Sequence, residues 1–185
     1  MDFGEDQRRL GPVDVGELRA RVLSQEPAAW IEQAIRQQTY EVHQDTESIV
    51  MLFCDEEWPD GKIYRESGWD RLSEVATPII DHIIETYYEP DGVLLRAMAA
   101  KLKARGRINA HRDSLHSFHL GHSVHVPITT NSGVRYTISG IPYQFEVCSA
   151  YEINNQRTHS VLNMGSEDRI SLIFDYVPPD RLPAK

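Results

Sequence analysis

Apolar residues recur along this chain at two different periods, and the change of period divides it. Over Trp69 to Tyr88, the residues Leu72, Val75, Ile79, Ile80, Ile83 and Ile84 fall three or four apart, the spacing that stripes one side of a helix. Pro78 lies inside that stretch and removes one helical hydrogen bond, so a kink or a break into two helices is expected there. Two shorter helices precede it. Asp14 is placed to cap one over Val15 to Leu23, and Pro27 opens another reaching about Gln38, with Trp30, Ile31 and Ile35 on one side. Ser48 to Cys54 carries the run Ile-Val-Met-Leu-Phe without a polar break, as a buried strand does. Glu56 to Gly68 is rich in turn formers and reads as a loop.

Beyond residue 92 the apolar residues come in short runs: Val93 to Leu102, His122 to Ile128, Val134 to Ile138, Tyr143 to Val147 and Arg169 to Val177. A tight turn is expected at Arg105-Gly106, and Ser-Gly-Ile-Pro makes a hairpin of the two runs that flank it. Helices first and short antiparallel strands afterwards give an α+β chain, with the strands in a double-sheet jelly roll. Residues 1–13 are polar and contain Gly and Pro, so they are expected as a flexible N-terminal arm. Residues 14–185 form a single expected domain, helical to about residue 92, with the jelly-roll core over 93–178. A length of 185 residues suits one domain that buries roughly two-thirds of its unfolded surface.

Composition narrows the classes. With 41% hydrophobic and 25% charged residues the chain is ordinary for a globular protein. A net charge of −9 and a pI near 5.3 repel phosphate backbones, so nucleic acid is not an expected partner. The basic run Lys101, Lys103, Arg105 and Arg107 reads as a solvated strand face and turn. Cys54 and Cys148 are too few for a disulfide framework or a zinc ribbon, which fits a reducing compartment. Met1 to Arg19 is charged without an apolar centre, and no apolar run approaches membrane-spanning length. The expectation is a cytoplasmic monomer or homodimer that acts on a small molecule or peptide and does not engage a membrane.

Six of the eight histidines fall between residues 111 and 159. The informative set is His111-x-Asp113 with a distant His159. Two imidazoles and a carboxylate can hold one face of an octahedral iron(II) and leave the other open. In an extended segment residues i and i+2 point to one side, so His111 and Asp113 can reach one metal, and His159 would come from another strand. H-x-D alone is a weak motif. Arg169 sharpens it: a buried arginine opening an apolar strand needs an anion, and a carboxylate suits its fork. The distal carboxylate of 2-oxoglutarate is one such anion; a structural salt bridge to Glu167 or Asp168 is another account. In the series His116, His119, His122 and His125, Gly121 and Pro127 argue against one continuous helix. One or two of these histidines should face the pocket, His125 first among them.

The segments His111-Arg-Asp113, His125-Val-Pro-Ile-Thr-Thr-Asn131, Ala150-Tyr-Glu-Ile-Asn-Asn155, His159-Ser-Val-Leu-Asn163 and Asp168-Arg-Ile-Ser-Leu-Ile-Phe-Asp-Tyr176 together resemble the aspartyl/asparaginyl β-hydroxylase family. Asp45-Thr-Glu-Ser-Ile49 and the Trp69 to Tyr88 helix extend the resemblance over most of the chain beyond about residue 25. It implies a double-stranded β-helix of cupin type, with iron(II), 2-oxoglutarate and O2 as reactants. His111 and His159 match the family's iron-binding histidines, Arg169 its cosubstrate-binding arginine, and His125 a histidine that contacts the cosubstrate. Ser123 stands where the family often has an arginine, two positions before that histidine. Asp113 is present, as in bacterial members that act on small molecules. The chemistry implied is hydroxylation of an unactivated C–H bond of an amino acid, peptidyl residue or related small molecule, with release of succinate and CO2. A cupin metalloenzyme that does not use 2-oxoglutarate, and a non-catalytic binding or regulatory barrel, remain as alternatives. Residues 40–66 and 112–122 are expected to select the substrate, and Asn154, Asn155 and Asn163 are read as turn and edge hydrogen-bonding residues.

Overall fold

A computed structural model of the protein describes residues 1–32 and 44–182. Two antiparallel sheets face each other. The larger has the order β1 (Gln7–Pro12), β9 (Ser149–Ile153), β6 (His122–Thr129), β11 (Arg169–Val177), β4 (Val93–Leu102), β2 (Thr46–Cys54), β3 (Ile63–Arg65). The smaller has the order β5 (Arg107–His111), β10 (His159–Asn163), β7 (Val134–Ile138), β8 (Ile141–Tyr143). From β4 to β11 the chain passes back and forth between the sheets, which is the double-stranded β-helix within an α+β molecule.

Strand alternation decides which side chains enter the barrel. On β6 and β11 the even-numbered residues Val124, Val126, Leu172 and Phe174 turn outward. There they bury against Leu18 and Val22 of α1 (Gly16–Leu23), Trp30 of α2 (Pro27–Ile31), and Leu72, Ile80 and Ile83 of α3 (Gly68–Tyr87). Fully burying one such side chain stabilises by about 1.5–3 kcal/mol, so the helices hold the large sheet by one face. The odd-numbered residues, Ser123 and His125 on β6 with Arg169, Ser171 and Asp175 on β11, are turned the other way and are buried too. A second apolar cluster, Leu102, Tyr151 and Ile153 with Tyr136, Ile138 and Val161, joins the two sheets.

Several elements differ from expectation. Residues 7–12 form an edge strand on β9 rather than a loose arm, and Arg8 pairs with the buried Glu152. α3 is one helix rather than two. Pro78 lies on its exposed side, where water can take the carbonyl left without a donor. Asp14 accepts the Gly16 amide at 2.9 Å, so α1 begins one residue later than expected. The second expected helix is described only as Pro27–Ile31; its continuation to Gln38 lies outside the described residues. The stretch expected as a loop contains β3. The hairpin turns on Ser139-Gly140, with φ of 51° and 84°, the left-handed pair that a two-residue turn requires. Its second strand is therefore Ile141–Tyr143, earlier than the run Tyr143 to Val147.

Candidate metal centre

β5 ends at His111 and β10 begins at His159, and the pairing of the two strands puts these histidines opposite each other, ring centroids 4.3 Å apart. Asp113 follows two residues beyond His111. Its amide donates to the Asn155 carbonyl at 3.1 Å, and Gln156 Nε2 donates to its carbonyl at 3.3 Å, so the chain leaving the strand is tied in place. The potential ligand atoms of His111, Asp113 and His159 all lie within 4.8 Å of one another, and His111 Nε2 is 3.7 Å from Asp113 Oδ1. It is the one group of this kind among the described residues.

Orientation supports ligation. His111 Nδ1 lies 2.8 Å from the Asn109 carbonyl and His159 Nδ1 3.0 Å from the Arg157 carbonyl. With Nδ1–H donating to a carbonyl, each ring turns an Nε2 lone pair toward the group, as metal-binding imidazoles do. Burial lowers the His159 pKa against the opposing pull of Asp113, which favours the neutral ring that can bind a metal.

Behind this cluster lies a second one. Arg169 is 4% exposed, its Nη2 has no hydrogen-bond partner, and it makes no ion pair among the described residues. The salt bridge to Glu167 or Asp168 is thus not formed; Asp168 Oδ1 instead accepts the Ala104 amide. Against a smaller opposing influence of Tyr136, burial pushes the guanidinium pKa down. His125 is beside it: burial, then the charges of Arg169 and His159, lower its pKa well below the usual value, and its Nδ1 is also without a partner. Orphaned polar atoms in a closed interior are costly unless a polar ligand meets them. A carboxylate is the acceptor that an unpaired guanidinium fork suits.

Tyr136, which the sequence reading passed over, joins the two clusters. Its ring packs edge-on against His125 at 5.7 Å, lies nearly parallel to His159 at 6.2 Å, and sits 5.8 Å from the Arg169 guanidinium carbon. Burial raises its pKa, so the hydroxyl stays protonated. The alternation Val134, Tyr136, Ile138 on β7 was the signal that could have pointed it inward.

The remaining histidines are elsewhere. His116 and His119 are exposed on the short helix α4 (His116–Leu120), which ends before Gly121. His122 is on the outward face, bonded to Glu152 Oε1 at 2.6 Å and packed on Tyr88. Asn154 and Asn163 bind turns and neighbouring loops, as read from the sequence, while the backbone of Asn155 holds Asp113. In the basic run, Lys101 and Lys103 both pair with Glu47. No helix among the described residues is long and apolar enough to cross a membrane.

The fold recurs in solved oxygenases. A 2OG-Fe(II) oxygenase family oxidoreductase from Burkholderia pseudomallei is 11% identical at a TM-score of 0.54, covering 76% of this chain and 71% of that one. A non-heme monooxygenase solved as a nickel complex, ThoJ, is 12% identical at 0.58 over 95% of this chain and 74% of its own. A prolyl-4-hydroxylase from Pseudomonas putida is 12% identical at 0.51 over 95% and 94%. Among curated protein sequences none matches. The sequence profile of aspartyl/asparaginyl beta-hydroxylase, however, matches residues 18–179, and the chain belongs to that family.

Proposed function

We propose that the protein is an iron(II)- and 2-oxoglutarate-dependent hydroxylase in which His111, Asp113 and His159 hold the metal and Arg169 anchors the cosubstrate. The observation that carries this reading is the pairing of a convergent His-Asp-His group with a buried arginine that lacks any carboxylate among the described residues. Iron(II) bound there with 2-oxoglutarate supplies oxidative decarboxylation, which releases succinate and CO2 and leaves one oxygen atom of O2 for a substrate C–H bond. The protein's own residues do the orienting. Asn109 and Arg157 carbonyls fix the ligating tautomers, and Asn155 and Gln156 hold Asp113. Arg169 offers its fork to a distal carboxylate, with the His125 ring beside it. Tyr136 packs against both histidines and near the arginine.

A metalloenzyme without 2-oxoglutarate has no use for the unpaired Arg169, and a non-catalytic barrel has no use for the ligand set. The test is succinate formation from 2-oxoglutarate by iron-loaded protein with ascorbate and oxygen, across a panel of amino acids and peptides. Formation that disappears in His111→Ala is the expected result. Its absence from folded, freshly loaded parent protein across the panel would favour the binding-module reading.

A further inference from the structure

Asp113 is held by the carbonyl of Asn155, two residues beyond Ile153, and Ile153 pairs with Ser123 of β6. The start of β6 therefore lies at the metal end of the barrel. There Ser123 stands opposite Asp175 of β11, and Asp175 opposite Arg96 of β4, one row across three adjacent strands. All three are buried, and the charge of Asp113 reaches Asp175. Ser123 hydrogen-bonds the Asp175 carboxyl.

Arg96 is 3% exposed, and its partners are uneven. Nη1 lies 3.3 Å from Asp175 Oδ2, a long contact for an ion pair. Nη2 donates to Ser117 Oγ at 2.6 Å. Nε is shielded from water and has no acceptor. Phe118 covers the guanidinium face at 4.1 Å, with Phe53 at 5.4 Å. Nε and Nη2 form one edge of the fork, spaced to meet both oxygens of a carboxylate. On Arg96 that edge has one donor idle and the other resting on a hydroxyl that a stronger acceptor can replace. Asp175 occupies only the opposite side and compensates the charge when nothing else is bound. The cover comes from Ser117 and Phe118 on the five-residue helix α4, which belongs to neither sheet.

We propose that Arg96 anchors a carboxylate of the substrate on its Nε–Nη2 edge, with Ser117 displaced, so that the substrate is a small carboxylic acid. Calling that molecule the substrate rests on the hydroxylase reading; the binding itself does not. The test is calorimetry under nitrogen with manganese(II) and saturating 2-oxoglutarate, so that the Arg169 site is filled. Small carboxylic acids and amino acids are titrated against their own primary amides. The parent is expected to prefer an acid over its amide by about tenfold or more, and Arg96→Met to bring the ratio near one. An arginine that only supported the fold would weaken acid and amide together and leave the ratio unchanged. Should Arg96→Met not fold, Arg96→Lys keeps the charge but loses the planar edge and is expected to lower the preference severalfold. A parent that binds acid and amide alike, or neither, overturns the proposal, as does a variant that keeps the parent ratio. Arg96-dependent acid binding in a protein that forms no succinate would leave this site standing and remove the hydroxylase reading.

Discussion

Arg169 and His125 set the residue-scale argument. A guanidinium closed off from water with an idle Nη2, next to an imidazole with an idle Nδ1, is a poor way to stabilise a barrel and a good way to receive a carboxylate. Arg169→Ala should therefore weaken 2-oxoglutarate binding by about 2–5 kcal/mol, a loss of about thirtyfold to several thousandfold, while iron(II) still binds through residues on other strands. Calorimetry with manganese(II) as the metal reads both affinities, and unchanged 2-oxoglutarate affinity would contradict the assignment. Of this candidate site, the convergence of His111, Asp113 and His159 and the burial of Arg169 and His125 were legible, because each carries chemistry that few structural roles need, at spacings a strand explains. Tyr136 and Arg96 were not, because a tyrosine within a strand pattern and an arginine in an apolar run each have an ordinary structural reading. What separates them is a partner list, which only the folded chain supplies.

At the scale of elements, β1 depends on one buried carboxylate. Glu152 receives Arg8 from β1, the His122 ring and the Tyr88 hydroxyl. Burial works against its ionisation, but His122 and Arg8 outweigh burial and hold its pKa below the usual value. A carboxyl with a depressed folded pKa contributes stability above its unfolded pKa of about 4.3, and that contribution is lost as pH falls toward the folded value. The amides of residues 7–12 should exchange faster below about pH 4, and Glu152→Gln should make them exchange fast at neutral pH. Exchange in the variant that matches the parent would show that the carboxylate does not hold the strand. α3 makes a separate case. Pro78→Ala restores an exposed helical hydrogen bond and should stabilise the protein by up to about 3 kcal/mol in chemical unfolding; a lower stability would mean that the proline ring packs usefully. The α3 periodicity was plain in the sequence. The hydrophobic pattern left out β5, β9 and β10, where His, Asn, Ser and Glu residues interrupt the apolar alternation. β1 was missed because its partners are remote: it pairs with β9, and its Arg8 bonds Glu152, 144 residues away in sequence.

At the scale of the molecule, three helices brace one face of the large sheet, and the opposite face is left for chemistry between the sheets. The candidate metal group draws its residues from β5, β10 and the segment after β5, so a bound metal would add to the strand pairing and the Asp113–Asn155 hydrogen bond that already join them. A divalent metal at about a hundred times its dissociation constant should then raise stability by about 2.7 kcal/mol, and His111→Ala should abolish the gain. Thermal unfolding with and without manganese(II) reads this directly. The most direct measurement of the whole account is anaerobic absorption spectroscopy with iron(II) and 2-oxoglutarate, which reports a 2-oxo acid chelated to iron(II) as a visible charge-transfer band. The band is expected in the parent protein, with its loss in His111→Ala and a much higher 2-oxoglutarate requirement in Arg169→Ala. No band in folded parent protein saturated with both would contradict it.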